Sequence, residues 1–192
     1  IPEDPNKKNI LLWWYGFRGS IEEDMEKLMA YAEANNLLDH DVILDMTTSR
    51  GGSRGAVMLT RLQPKPYKTT FGNIRLSEIG MDFIKNQLEE PYKQRIAVLD
   101  GAAVEGDNGQ WVLDWINQDV YPRHEAGEDY SSNVPFKCAH APHTSSGILQ
   151  PAEKHFTGQM VCLMGPWGGS HLDQFASIVA DNDLAHTIGM PT

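Results

Sequence analysis

The sequence predicts an α/β fold built around a largely parallel sheet. Over residues 9–63, short apolar runs typical of buried strands alternate with stretches in which apolar residues recur at helical spacing. A strand, a glycine-rich turn and a helix follow one another again over residues 159–179. This alternation favours a parallel sheet, because neighbouring parallel strands need a crossover connection that is usually a helix.

The first part of the chain gives the clearest elements. They are a strand over residues 9–15, a turn at 16–19, a helix from 20 to about 35, a strand over 41–46 and a helix over 54–63. Ser20 and Glu23 have the spacing of a capping box, which begins the first helix. Pro64 ends the second helix, since proline cannot continue one.

The rest of the chain is less regular. The expected elements are strands at 69–76, 95–99, 159–164 and 186–188, and helices at 77–88, at 108–120 and from Ser170 onward. Residues 121–158 contain Pro, Gly, Ser and His without a clear period, so we expect a long insertion near residues 100–158. Residues 1–8 predict an arm or linker, and residues 9–192 a single α/β domain.

Charge and hydropathy exclude several classes of partner. The 192 residues include 16 Lys and Arg against 26 Asp and Glu, a net charge of −10. Nucleic acids and anionic membrane surfaces are bound by clustered cationic side chains, so this chain is a poor ligand for either. Its longest apolar run, residues 10–15, is far shorter than the roughly 20 residues of a membrane-spanning helix.

The cysteines and the first residue say little about compartment. Cys138 and Cys162 allow at most one disulfide bond, too few for a disulfide scaffold. The chain begins at Ile1 and not at Met. That start predicts either that an N-terminal segment has been removed or that the sequence is a piece of a longer protein.

Ser170, in the segment GGSHLD of residues 168–173, is a candidate nucleophile. It stands where a buried strand passes into a helix, near the edge at which open α/β sheets bind ligands. The amides of the helix start, from His171 onward, can stabilise a developing oxyanion. The Ser-x-x-Asp spacing is also that of an ordinary N-cap, and the local sequence alone favours the cap over a nucleophile.

The residues before the serine are candidates for substrate binding. Gly168 and Gly169 let a substrate backbone approach closely. Trp167 fits a substrate pocket and core packing equally well. The other tryptophans are expected mainly in the core; they are Trp13, Trp14, Trp111 and Trp115.

The loop after the second strand is a second candidate. There a strand ends near Asp45 and enters the pair Gly51-Gly52, which can present a backbone N–H to a ligand. Taken by itself, the segment is more typical of a plain turn.

Together the two segments resemble the C-terminal-processing (tail-specific) serine proteases and their tricorn-like relatives. In that family a buried strand ends in Asp and a Gly-Gly pair begins six residues later, as at Asp45 and Gly51. The family's nucleophile has an acidic residue three positions on, as Asp173 follows Ser170. A later Gly-x-x-Thr of the family matches residues 189–192.

The resemblance covers about residues 9–63 and 159–192. It implies a ClpP/crotonase-like layered ββα superhelix, interrupted here by the long insertion. The sequence departs from the family at Thr47, where Arg is usual, and at Asp173, where Glu is usual. A substrate-docking PDZ module is not visible.

The resemblance implies a role for each matched residue. Ser170 becomes the acylated nucleophile, and the amides of Gly51, Gly52 and His171 form the oxyanion hole. Asp173 becomes a polar support and not the base. In the Ser-Lys branch of the family the base lies past the position of Thr192, and in the tricorn-like branch it comes from upstream, so a base outside this chain is implied.

Histidines and cysteines offer no clear alternative site. His171 follows Ser170 at a helix start, so its side chain is expected to point away from the hydroxyl. The other histidines fit surface or loop positions. Cys138, His140 and His143 lie close together, but their spacing fits no zinc-finger or zincin pattern. No metal and no cofactor are therefore expected.

The resemblance in the two loops implies a serine endopeptidase domain that acts on polypeptides. Its expected partners are the substrate, the remaining segments of the same protein or a second chain, and a further copy in a homo-oligomer. Relatives of this kind are often exported, which predicts an extracellular or periplasmic location. The alternatives are a catalytically inactive, peptidase-like polypeptide-binding scaffold and, third, a crotonase-type acyl-thioester enzyme.

Overall fold

The computed structural model describes residues 9–17, 21–52, 55–99, 109–135 and 146–190. Contacts divide the chain into two compact units. Of the described residues, the first unit contains 9–17, 21–52, 55–69 and 148–190, and the second contains 70–99, 109–135 and 146–147. The single domain over residues 9–192, with its insertion and its arm, stays a prediction.

The described elements alternate between strands and helices. The strands are β1 (Asn9–Trp13), β2 (Gly16–Phe17), β3 (Asp41–Met46), β4 (Arg50–Gly52), β5 (Tyr67–Lys68), β6 (Phe71–Gly72), β7 (Val134–Pro135), β8 (Ile148–Leu149), β9 (Met160–Met164) and β10 (His186–Gly189). The α-helices are α1 (Ile21–Ala34), α2 (Gly55–Leu62), α3 (Glu78–Phe83), α4 (Glu90–Leu99), α5 (Gln110–Trp115), α6 (Tyr121–Glu125) and α7 (His171–Asp181). Two segments, Ile84–Glu89 and Ile116–Val120, are π-helical.

A four-stranded parallel sheet with the order β1-β3-β9-β10 forms the centre of the first unit. Along β3, Val42, Leu44 and Met46 are buried, while the residues between them are half-buried. This alternation follows from the strand geometry, since successive side chains point to opposite faces of the sheet. The predicted α/β class with a parallel sheet is confirmed.

A second, smaller parallel pair follows the first two strands of the large sheet. β2 pairs with β4, with Gly16 opposite Arg50 and Phe17 opposite Gly52. The order strand, short strand, helix therefore occurs twice, as β1-β2-α1 and as β3-β4-α2. This repetition brings the segments that follow β1 and β3 next to each other.

Three helices share one hydrophobic core with the buried face of the large sheet. On α7 the buried apolar residues recur at helical spacing, at Leu172, Phe175, Ile178 and Val179. Each such side chain stabilises the fold by about 1.5–3 kcal/mol when fully buried. The buried residues of α1 and α2 in the same cluster are Ile21, Met25, Met29, Ala32, Met58, Leu59 and Leu62.

The second unit has a helical core of its own. α3, the first π-helical segment and α4 follow one another directly, as do α5, the second π-helical segment and α6. Their cluster consists of Leu76, Ile84, Leu88, Tyr92, Val112, Ile116 and Val120. In the part of the chain that the structure describes, no helix is long and apolar enough to cross a membrane.

Two of the predicted strands are wrong. Residues 95–99 belong to the helix α4, because a short apolar run does not by itself distinguish a buried strand from a helix. Residues 69–76 contain only the two-residue strand β6 and an isolated bridge at Arg75. Ser20, the predicted capping residue of α1, lies outside the described residues.

Candidate active site

The segments that follow β1, β3 and β9 meet at the carboxyl edge of the large sheet. The Arg50 N–H donates to the Tyr15 carbonyl over 3.0 Å and joins the first two segments. Gly165, directly after β9, packs tightly on the segment that follows β3. A Cβ on Gly165 would lie 1.9 Å from the Thr47 carbonyl oxygen. In open α/β sheets this edge is where ligands bind.

Asp45 shapes the turn after β3. Its Oδ1 accepts hydrogen bonds from the Thr47 N–H over 3.0 Å and from the Thr47 hydroxyl over 2.7 Å. This is the local side-chain-to-backbone bonding by which aspartate favours turns. Thr47, which stands where the resembled family has Arg, therefore serves as the hydrogen-bonding partner of Asp45.

Ser170 lies at the N-cap position of α7 but does not act as a cap. Its φ is 58° and its ψ is −119°, and its side chain makes no capping hydrogen bond. Such a backbone costs about 1–3 kcal/mol in a residue other than glycine and persists only where its surroundings impose it. The side chain is exposed. The capping interpretation of the Ser-x-x-Asp spacing is therefore wrong for this serine.

Gly51 lies directly against the Ser170 turn. A Cβ on Gly51 would lie 2.6 Å from the Gly169 carbonyl oxygen, 2.8 Å from the Ser170 Cβ and 3.3 Å from the His171 nitrogen. The two loops that sequence analysis singled out are therefore in contact, and only glycine fits between them. Gly52 pairs with Phe17 in the small sheet.

A pocket of about 660 Å³ opens where these loops meet. Its volume is within the range of about 300–1,000 Å³ that is usual for ligand sites. The residues that line it are Tyr15, Thr48, Arg50, Gly51, Trp167, Gly168, Gly169 and Ser170. Trp167 is 80% exposed, so of its two sequence interpretations the structure favours the pocket over the core.

His171 buries its side chain in the protein; the sequence predicted only that this side chain points away from the Ser170 hydroxyl. The residue is 3% exposed, and its ring packs edge-to-face on Phe17 with 5.0 Å between the ring centroids. Its Nε2 accepts a hydrogen bond from the Gly55 N–H over 2.5 Å. Burial lowers the pKa of this imidazole, because it disfavours the charged form. His171 thus ties the start of α7 to the start of α2.

Sequence analysis missed three residues of the pocket, Tyr15, Thr48 and Arg50. Each follows a strand of the large sheet by a few positions. That placement at the carboxyl ends of the strands is the signal that could have identified them. Trp13 is also misplaced by the core prediction, since it is 64% exposed. Its Nε1 donates to the Thr48 Oγ1 over 3.2 Å, and its ring lies 6.2 Å from that of Tyr15.

The weak metal candidate Cys138, His140 and His143 lies outside the described residues. Among the residues that the structure describes, no group of His, Cys, Asp and Glu side chains is placed to hold a metal ion.

Comparisons with known proteins give a likeness of fold. No family model matches the sequence, and no curated protein sequence is significantly similar to it. Three solved structures of CPAF, a tail-specific-protease-like serine protease, are similar: mature CPAF, mature CPAF complexed with lactacystin, and a serine-to-alanine mutant of CPAF. Their TM-scores are 0.64, 0.63 and 0.60, each at 15% identity.

The matched region is nearly all of this chain but a minor part of CPAF. The three matches cover 96%, 96% and 97% of this chain and 37%, 38% and 38% of the CPAF chains. At this identity the likeness concerns the fold, and at that level it bears out the resemblance predicted from the two loops. The chain has the ClpP/crotonase-like α/β fold of the CPAF protease domain.

Proposed function

We propose that this chain is a serine peptidase domain that cleaves polypeptides through an acyl-enzyme on Ser170. One observation carries the proposal: Ser170 has a strained backbone, makes no capping bond and lines a pocket. A strained strand-to-helix turn is the device by which other hydrolases expose a nucleophilic serine. The fold shared with CPAF, a serine protease, supports the same assignment.

The proposed reaction is an acyl transfer. The Ser170 Oγ attacks the carbonyl carbon of the scissile peptide bond, and its proton passes to a base. The carbonyl oxygen becomes an oxyanion that accepts hydrogen bonds from the amides of His171 and of the Gly51-Gly52 loop. The base then protonates the leaving amine, the C–N bond breaks, and water later hydrolyses the ester. Each oxyanion donor is worth about 2.7–4 kcal/mol.

The base in this proposal comes from outside the chain. His171 is buried and its Nε2 already accepts a hydrogen bond from Gly55, so it does not take the Ser170 proton. Asp173 stays a polar support at the exposed start of α7. The remaining segments of the same protein, or a second chain, supply the base.

A second candidate is a peptidase-like scaffold that binds polypeptides without cutting them. One observation favours it: of the described residues, those that line the pocket include no Lys, His, Asp or Glu. A serine without a base is a weak nucleophile.

Peptide cleavage and peptide binding, measured on the protein at its full natural length, separate the two candidates. We expect the parent protein to cut an unfolded polypeptide such as casein and Ser170→Ala to bind it without cutting. Ser177→Ala, which removes an exposed hydroxyl elsewhere on α7, serves as the matched control and should retain cleavage. If the parent protein and both variants bind the polypeptide equally and none of them cleaves it, the protein is a polypeptide-binding scaffold. Turnover that survives in Ser170→Ala contradicts the proposal.

A further inference from the structure

Among the residues that the structure describes, Arg50 is the only charged one that lines the pocket. The chain as a whole carries a net charge of −10, so this cation has the opposite sign to the protein around it. A ligand that enters the pocket therefore meets a local positive charge beside the Ser170 turn. That placement needs an explanation, because an acidic protein does not by itself concentrate cations at its ligand site.

The backbone of Arg50 is fixed, while its guanidinium forms no ion pair with the carboxylates that the structure describes. The Arg50 N–H donates to the Tyr15 carbonyl over 3.0 Å, and Arg50 pairs with Gly16 in the small sheet. Within the described ranges, no carboxylate forms an ion pair with Arg50. Arg123, by contrast, pairs with both Asp119 and Glu128. Arg50 thus has a defined backbone position, and its charge is not paired with any carboxylate of the described ranges.

We infer that Arg50 determines specificity by binding a carboxylate of the polypeptide that occupies this pocket. The planar guanidinium donates two parallel hydrogen bonds to a carboxylate, which makes arginine the fitting residue for this ligand. The carboxylate belongs either to an Asp or Glu side chain near the scissile bond or to the end of the bound chain. Tyr15 and Trp167, 45% and 80% exposed, offer apolar surface to the same segment.

The inference rests on the proposed function in one respect, namely that the occupant is a polypeptide. Because the pocket is open to water, we expect the preference for a carboxylate to be modest, about two- to fivefold in affinity. Added salt should reduce this preference, since salt screens exposed charges.

The test compares matched fluorescent peptides by anisotropy on the full-length protein carrying Ser170→Ala, so that no peptide is consumed. One set moves a single Glu, or a Gln in its place, along a neutral sequence, and a second set carries a free or an amidated C-terminus. We expect one of the two sets to show tighter binding of the charged member. Arg50→Gln should abolish this preference for the charged peptide, and Arg50→Lys should retain part of it. Arg75→Gln, an equal charge change outside the pocket, should leave the preference intact.

The outcomes are distinguishable from failure of the proposed function. The inference is overturned when neither set shows a preference, or when Arg50→Gln leaves the preference unchanged while its far-UV circular dichroism matches that of the parent. If Arg50→Gln does not fold, Arg50→Lys decides the test. A lysine variant that shows the full preference of the parent for the charged peptides argues against bidentate binding of the carboxylate by Arg50. Ser170-dependent cleavage is measured separately and decides the peptidase proposal on its own.

Discussion

Gly51 and Ser170 form the candidate site because one has no side chain and the other has a strained backbone. The Ser170 turn brings the His171 amide nitrogen and the Gly169 carbonyl close to the Gly51 backbone. A hydroxyl in this position faces a pocket instead of closing a helix end. The site is therefore sensitive to changes of a single atom at Gly51.

Gly51→Ala tests this close approach. The added Cβ would lie 2.6 Å from the Gly169 carbonyl oxygen and 2.8 Å from the Ser170 Cβ, so the two loops must separate. We expect a loss of about 1–3 kcal/mol in the free energy of unfolding, measured by urea denaturation, and a loss of Ser170 reactivity.

The matched control for this prediction is Gly169→Ala. A Cβ on Gly169 meets nothing within 4 Å, so the free energy of unfolding should change by no more than about 0.5 kcal/mol. Equal losses in the two variants would show that the Gly51 contact does not hold the loops together.

At the scale of residues, the sequence predicted positions that follow from strand ends and missed those that follow from loop packing. Ser170 and Gly51 were found because each lies just after a buried strand. Arg50 was missed because the sequence does not show which residue of the segment after β3 packs beside Tyr15 and so lines the pocket. Trp13 was misjudged because the apolar run 10–15 does not say which of its alternate residues face the core.

At the scale of elements, His171 joins α7 to α2. The bond from the Gly55 N–H to Nε2 lies inside the core, where a lost partner leaves a buried amide unsatisfied at a cost of about 1–3 kcal/mol. The imidazole accepts this bond only in its neutral form. Contact between the two helix starts therefore depends on the protonation of one side chain.

The pH dependence of stability follows from the lowered pKa of His171. In the unfolded chain this histidine binds a proton near its ordinary pKa of 6.5, whereas in the folded protein it binds one only at lower pH. Protons thus favour the unfolded state. The stabilising contribution of neutral His171 is complete above about pH 6.5 and is lost as the pH falls toward the pKa of His171 in the folded protein.

Urea denaturation at several pH values on both sides of that range measures this effect. We expect the parent protein to lose stability on acidification more steeply than His171→Gln. His186→Gln, which changes an exposed histidine of β10, should follow the parent. Identical pH profiles for the parent and His171→Gln would exclude His171 as the titrating group.

Elements with a clear burial pattern were predictable and the others were not. Residues 41–46 were predicted as a strand, and β3 spans the same residues, because a buried parallel strand is a continuous apolar run between turns. The strand predicted at 95–99 is part of α4, whose short apolar run fits either structure. The π-helical segments had no sequence signal, since a wider turn leaves no distinct spacing over so few residues.

At the scale of the whole molecule, the fold is set by the repeated order strand, short strand, helix. The alternation of long strands and helices was readable from the sequence, whereas the short strands β2 and β4 lie where a turn and a loop were predicted. The fold of CPAF has the same class. The base could not be assigned from the sequence, because this chain covers 37% of the CPAF chain and the described residues that line the pocket include no Lys, His, Asp or Glu. Activity, substrates and an exported location accordingly remain proposals.

The most direct test of the account is the covalent reaction of Ser170 with a fluorophosphonate, located by mass spectrometry of the digested full-length protein. We predict a single adduct on Ser170 that is absent from Ser170→Ala and from the protein unfolded in urea before exposure, because the reactivity depends on the folded turn. A folded protein that carries no adduct at Ser170, or carries it at other serines to the same extent, would contradict the claim that this hydroxyl is an activated nucleophile.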